Sequence, residues 1–247
     1  MDVSSYVLLS HEQALRRRLD VAANNMANTS TVGFKREQPV FHEYVEEGSE
    51  GAVDAARNVS FVLDYGAVHD TRAGAFQVTG NPMDVMIDGP GYLAVEAPGG
   101  GTAYTRAGAL QVLGSGELAT STGQRVLDEN GQPIAIPADQ TAQLRVSDDG
   151  TISGALGPVG RLSVTVFDNE AAVSPRGDGM MTGEGGRVLA AGETRLRSGG
   201  VEGSNVQPIV ETNNMVEILR SYQTSQRMSD ALNDMRKRAI ERLSRVG

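Results

Sequence analysis

Two stretches with helical apolar spacing, one at each end of the chain, bracket a middle that is rich in glycine and turn dipeptides. Leu8, Leu15, Leu19, Ala22 and Met26 step by seven, four, three and four, the spacing of one helix face and close to a coiled-coil seam. Met215, Leu219, Tyr222, Met228, Leu232, Met235, Ala239, Leu243 and Val246 form a second stripe, broken once where Thr224-Ser225-Gln226 face the seam. A helix of roughly 35 residues is about 50 Å long. A domain of this size cannot cover it, so it needs the N-terminal helix, other copies of the chain, or both. Core helices in an ordinary α+β domain are the plainer alternative, but their length and terminal placement favour self-association.

The ends of these helices are marked. The first should stop between Asn28 and Gly33, where Asn-Thr-Ser-Thr leads to a glycine. The second should start at Pro208, as a first-turn proline, or at Asn214, where Glu217 would complete a capping box. Between them an extended segment is expected from Phe34-Lys35 to about Tyr44. A mobile, acidic, small-residue loop is expected over 46–58.

From Val59 to Leu196 the pattern is strand and turn. Residues 84–88 alternate, as do 92–95, and 162–167 read as a further strand. Asn130-Gly131 and Asp149-Gly150 signal hairpins of type I′, whose two central residues need positive φ. Five glycines in Gly177–Gly186 suggest a loop. Thr71-Arg72-Ala73-Gly74-Ala75-Phe76-Gln77-Val78 recurs as Thr105-Arg106-Ala107-Gly108-Ala109-Leu110-Gln111-Val112. Two copies are too few for a solenoid and read as similar strand-plus-turn edges of one β domain.

Composition narrows the chemistry. The chain has no cysteine, which excludes thiolate nucleophiles, disulfides and cysteine zinc sites. Residues 36–205 carry 11 basic and 23 acidic side chains, so nucleic acid is not the expected partner. The basic runs Arg16-Arg17-Arg18 and Arg236-Lys237-Arg238 read as solvated helix faces. No segment has the length of apolar sequence that spans a membrane, so no direct membrane insertion is expected, and Tyr6-Val7-Leu8-Leu9 is too short for a signal peptide. His11, His42 and His69 stand alone, and Asp128-Glu129-Asn130-Gly131 and Asp148-Asp149-Gly150 are better hairpin turns than calcium loops. No catalytic residue, metal ligand or cofactor site is expected. An enzyme or binding domain with helical arms remains the rival class.

Three stretches resemble one family, in order and over nearly the whole chain. Leu19-Asp20, Ala23-Asn24-Asn25-Met26-Ala27-Asn28 and Gly33-Phe34-Lys35 resemble the N-terminal signature of bacterial flagellar rod and hook proteins. Thr79-Gly80-Asn81-Pro82-Met83-Asp84 through Gly89-Pro90-Gly91-Tyr92, with Tyr104-Thr105-Arg106-Ala107-Gly108, resembles its central β domain. Glu202-Gly203-Ser204-Asn205-Val206, Asn214-Met215-Val216-Glu217 and Arg220-Ser221-Tyr222-Gln223 resemble its C-terminal helix entry. Within the family the length and opening are similar to proximal-rod members, with distal-rod members the near alternative.

The resemblance implies a structural subunit that polymerises into a helical axial tube transmitting torque. Its implied partners are copies of itself, other flagellar rod proteins and the flagellar type III export apparatus. Its implied location is the rod in the periplasm, reached without a cleaved signal. The expected fold is α+β: long N- and C-terminal helices pair as a coiled-coil-like domain beside a mainly β central domain. Residues 1–34 and 206–247 would form the helical assembly domain. Residues 35–75 and 190–205 would connect it to the β domain of 76–189. The expected assembly interface comprises Leu8, Leu15, Leu19, Ala22, Asn24, Asn25, Met26, Asn28, Gly33, Phe34, Met215, Leu219, Tyr222, Met228, Leu232 and Met235.

Overall fold

The computed structural model describes residues 3–47, 58–141, 143–168, 173–176 and 179–244. The architecture is α+β, with one helix near each end and a mainly β region between them. Its residues fall into two compact units. The first comprises 1–27, 37–69 and 207–247, and the second 28–36 and 70–206.

The first unit holds helix α1 (Val3–Ala27), strands β1 (Glu37–Glu47) and β2 (Asn58–His69), and helix α2 (Pro208–Ser244). Helix α2 starts at the proline, so Asn214 lies inside the helix and not at its cap. Pro208 needs no amide partner there and its fixed φ suits the first turn. Most of the acidic stretch expected to be a mobile loop lies outside the described residues, as does Val246 of the expected seam. Strands β1 and β2 pair antiparallel from Glu37↔His69 to Glu47↔Asn58. A bulge at Tyr65 interrupts the ladder, with Gly66 beside it at φ +116°.

Two sides of α1 are used inside this unit. Arg17, Val21 and Asn25 recur every fourth residue and form one stripe. Arg17 Nε lies 3.1 Å from Asp64 Oδ2. Asn25 acts as a two-way backbone mimic. Its Nδ2 donates to the Glu37 carbonyl at 2.9 Å, and its Oδ1 accepts from the Glu37 amide at 2.8 Å. The neighbouring stripe carries Leu15 and Ala22, which bury with Ile218 of α2; Leu19, Met215 and Tyr222 pack around them.

The second unit is built from fifteen short strands: β3 (Phe76–Val78), β4 (Val85–Ile87), β5 (Tyr92–Glu96), β6 (Thr102–Thr105), β7 (Leu110–Val112), β8 (Leu118–Thr120), β9 (Arg145–Val146), β10 (Thr151–Gly154), β11 (Gly157–Arg161), β12 (Val164–Val166), β13 (Val173–Pro175), β14 (Met181–Gly183), β15 (Arg187–Val188), β16 (Leu196–Ser198) and β17 (Gly200–Glu202). Its largest sheet runs β13-β14-β6-β5-β12-β15, and a three-stranded sheet runs β11-β10-β9. The last strands close on the first: β16 pairs with β4 and β17 with β3. One apolar cluster, including Val85, Leu93, Val95, Leu118, Val126, Ile152, Leu162, Val164 and Leu196, fills the interior. A second joins Tyr92, Phe167, Val173 and Met181 beside Tyr104.

Three local readings change. Residues 85–87 are all buried, so the alternation there does not mark a wet face; both faces of β4 are covered. The Gly177–Gly186 stretch contains β14, because Met180 and Met181 bury their side chains and 181–183 pair with 173–175. The hairpin turns are not type I′, since neither Asn130 nor Asp149 has positive φ. In both, the glycine alone takes it, with Gly131 at +74° and Gly150 at +86°. The Gly131 amide donates to the Asp128 carbonyl, and the Asp128 amide to the Gln132 carbonyl. This is the three-residue hairpin with a left-handed glycine. The pattern recurs at 97–101, 113–117, 120–124 and 147–151, which accounts for much of the glycine in this region. The Asp128 carboxylate is occupied in its own turn, accepting from the amides of Asn130 and Gln132.

The internal repeat also gains a reason. A Cβ on Gly74 would stand 1.8 Å from the Gly203 carbonyl oxygen, and one on Gly108 would stand 1.8 Å from that of Val85. Each repeat therefore supplies a place where a neighbouring strand's backbone presses against the chain. Gly108→Ala is expected to destabilise this unit by about 1–3 kcal/mol, the usual cost of overpacking. Gly192→Ala, with nothing within 4 Å of its Cβ, is expected to be near neutral. Urea unfolding of the two variants checks the contrast.

Candidate assembly interface

The N-terminal and C-terminal sequence signatures converge inside the second unit on one buried carboxylate. Glu202 ends β17 and is 1% exposed; Lys35, 167 residues away in sequence, is equally buried. Lys35 Nζ donates to Glu202 Oε1 at 2.6 Å and to the Arg72 carbonyl at 2.8 Å. Arg106, from the second repeat, donates from one guanidinium nitrogen to Glu202 Oε2 at 3.1 Å and from another to the Gly89 carbonyl at 2.8 Å. The Gly74 amide, from the first repeat, donates to Glu202 Oε1 at 2.8 Å. Arg106 also lies over the Tyr92 ring at 5.3 Å.

Backbone contacts tighten the same junction. The Gly33 amide donates to the Glu202 carbonyl at 2.7 Å. Gly33 has φ +71°, and a Cβ there would lie 2.4 Å from the Arg106 carbonyl carbon. Only glycine meets both demands. Asn205 then ties three passes of chain together. Its Oδ1 accepts from the Arg36 amide at 2.7 Å, and its Nδ2 donates to the carbonyls of Asp70 and Arg72 at 2.8 and 2.9 Å.

The electrostatics follow from burial and pairing. Burial pushes the Lys35 ammonium below its ordinary value, against the opposing pull of its hydrogen bond to Glu202. Burial by itself would raise Glu202. The charge of Arg106 and the hydrogen bonds from Lys35 and Gly74 outweigh it and hold the carboxyl below the usual range.

In the first unit, the expected interface residues divide by environment. Leu15, Ala22 and Asn25 are buried; Leu8, Leu19, Met26, Met215, Tyr222 and Leu232 are half-buried. Asn24, Leu219, Met228 and Met235 are exposed. Ile218 occupies the contact with α1 in place of Leu219. Met215, Ile218, Tyr222 and Ser225 keep steps of three and four without a break. That continuity was the available signal, since Ser225 is small enough to sit in the seam. Ser225 Oγ donates to Glu12 Oε1 at 3.3 Å, and Arg236 donates to Ser5 Oγ at 2.8 Å, so the helices run antiparallel. Asn28, Gly33 and Phe34 lie in the second unit, half-buried. Asn28 accepts from the Thr31 amide and hydroxyl in the turn after α1. Lys35, Arg106, Glu202 and Asn205 were absent from the expected set.

This arrangement has the character of a structural part, with its charged groups spent on holding backbone segments together. Among the described residues no cluster of His, Asp or Glu could hold a metal ion, and no helix is long and apolar enough to cross a membrane.

Comparison with known proteins gives a consistent result. Residues 6–35 match a family model described as flagella basal body rod protein. Residues 86–154 match the flagellar hook protein FlgE/F/G D1 domain, and 197–242 match the flagellar basal body rod FlgEFG protein C-terminal region. The chain is 32% identical to the flagellar basal-body rod protein FlgF of Caulobacter vibrioides, over all of both chains. It is 31% identical to FlgF of Salmonella typhimurium, over 99% of each. It is 31% identical to FlgG of Bacillus subtilis, over 91% of this chain and 93% of that one.

Removing the buried carboxylate tests the junction. Glu202→Gln leaves two buried cations without their counter-charge and is expected to cost about 3–5 kcal/mol at neutral pH. Because its folded value lies below the ordinary 4.5, the stabilisation from Glu202 is complete above that value and is lost as pH falls through the folded one. Urea midpoints taken from neutral pH down to about pH 3 should fall in this acid window for the native chain. They should fall less for Glu202→Gln; an equal acid loss in both would contradict the assignment.

Proposed function

The chain belongs to the flagellar basal-body rod protein family, and on that premise we propose that it polymerises through its terminal helices into a helical axial tube. It is a structural subunit of the basal-body rod, not an enzyme, and it assembles with other rod proteins. Among its relatives it is most like FlgF, which supports a place in the proximal part of the rod.

The observation that carries the polymerisation reading is the seam between α1 and α2, together with what that seam leaves uncovered. Ser5, Leu8, Glu12, Leu15, Leu19, Ala22 and Met26 on α1 keep heptad steps, and so do Met215, Ile218, Tyr222, Ser225, Ser229 and Leu232 on α2. Such spacing supports a coiled-coil-like pair. Helix α2 has 37 residues against 25 in α1, so one partner helix cannot cover it. Leu219, Met228, Met235, Ile240 and Leu243 remain exposed. Neighbouring subunits are the natural cover, and head-to-tail contacts that do not close generate a helical filament.

Partner copies, other rod proteins and the flagellar type III export apparatus complete this reading. Residues 1–34 and 206–247 would act as the assembly domain, 35–75 and 190–205 as its connections, and 76–189 as outer cladding in the periplasm. Export proceeds without signal cleavage, and the absence of cysteine suits passage into an oxidising compartment.

Leu15→Asp and Leu232→Asp are expected to abolish incorporation into the rod while the β strands still form. Immunoblots of purified hook–basal bodies and motility plates read the first effect, and far-UV circular dichroism of the isolated variants reads the second. Wild-type amounts of either variant in basal bodies would remove the helices from the assembly interface.

A further inference from the structure

The ribbon formed by β1 and β2 has two faces of different fate. Strand alternation puts Glu37, Phe41 and Asp64 on the face that meets α1, through Asn25 and Arg17. The other face carries the pairs His42↔Leu63 and Tyr44↔Phe61. The bulge adds Tyr65, whose ring centroid lies 4.4 Å from that of His42. Tyr65 is 76% exposed, and Tyr44 and Leu63 are each more than half exposed. A two-stranded ribbon is marginal by itself and needs packing to be stable; here α1 covers only one side. The ribbon's charge is uniform. Its described strands contain Glu37, Glu43, Glu46, Glu47 and Asp64 and no Lys or Arg.

The last turns of α2 have the complementary chemistry. Arg236 bonds Ser5, close to the start of α1, so α2 continues beyond the described part of its partner. That overhang exposes Ile240 and Leu243, at 67% and 76%, beside Lys237, Arg238 and Arg242. An apolar strip with basic flanks and an aromatic face with acidic flanks thus lie uncovered on one unit.

We propose that the bare ribbon face of one copy receives the C-terminal turns of α2 from a second copy. Ile240 and Leu243 would bury against Leu63 and Phe61. The cations beside them would lie over the faces of Tyr44 and Tyr65, a favourable arrangement for rings and basic side chains. Glu43 supplies an opposite charge at the rim. The contact is heterologous: each copy keeps its own ribbon free for one neighbour and its own α2 end free for another, so it repeats without closing. It rests on the self-assembly reading and names the two surfaces that mate.

The cysteine-free chain makes the test direct. Ser60→Cys places a thiol on the ribbon and Ser244→Cys one at the end of α2, both at exposed polar positions. Full-length variants are treated with a short bis-maleimide. The mixture should give a cross-linked dimer that neither variant gives alone, and a chain carrying both thiols should give a ladder. Arg238→Glu in the Ser244→Cys chain should lower the dimer yield by about tenfold through like-charge contact with the ribbon. Glu43→Arg in the Ser60→Cys chain should restore it. Sedimentation identifies what has failed. Assembled material without the mixed cross-link overturns this contact and leaves self-assembly standing. So does a dimer formed by Ser60→Cys alone, which would mean that ribbon meets ribbon. Monomer with no cross-link overturns the contact and the self-assembly reading together.

Discussion

A carboxylate held 1% exposed between two cations is stable only while both partners are in place. Breaking a buried ion pair by removing one member costs several kilocalories per mole. Glu202 is that carboxylate, and the β unit is organised around it. Lys35 arrives just after the N-terminal helix, Arg106 comes from the second copy of the repeat, and the Gly74 amide comes from the first. Glu202 itself ends the last strand before the C-terminal helix. The unit therefore closes by bringing the beginning and end of its own chain to one point. Gly33 and Asn205 permit that closure, the former by admitting the Arg106 backbone and the latter by bonding three passes at once.

The first unit is held by different physics. Its seam is short and apolar, its ion pair at Arg17 and Asp64 is half exposed and worth little, and its most specific polar contact is the double bond between Asn25 and the Glu37 backbone. Large apolar residues remain uncovered on α2 and on the ribbon. Isolated, such a unit is incomplete; in a polymer, the same surfaces become contacts. A rod subunit needs this division. One part must be self-sufficient to keep its shape under torque, and the other must finish folding against its neighbours.

The sequence was most legible where period and chemistry agreed. The N-terminal stripe of Leu15, Leu19 and Ala22 was read at the right face because its steps are unbroken. The C-terminal stripe was misplaced by one residue, because Leu219 looks more like a seam residue than Ile218 once Ser225 is treated as a gap. Turns were located correctly, but their type was not. Asn-Gly and Asp-Gly serve the three-residue hairpin with one left-handed glycine as well as type I′, and the choice depends on which flanking amide and carbonyl meet across the strands. Residues 84–88 alternate, yet both faces of β4 are covered, since pairing with β16 is invisible from within the segment.

The chain by itself determined the α+β order, the two helical ends, the glycine-bearing turns and the family to which it belongs, because each is written in local spacing or in contiguous motifs. Tertiary structure alone decided that Lys35, Arg106 and Glu202 share one buried site, that the repeated glycines serve close backbone approach, and which face of the ribbon is left bare. The reason is distance along the chain. A buried charge is selected by a partner 167 residues away, and a glycine by a carbonyl on another strand. No local pattern encodes either until folding brings them together.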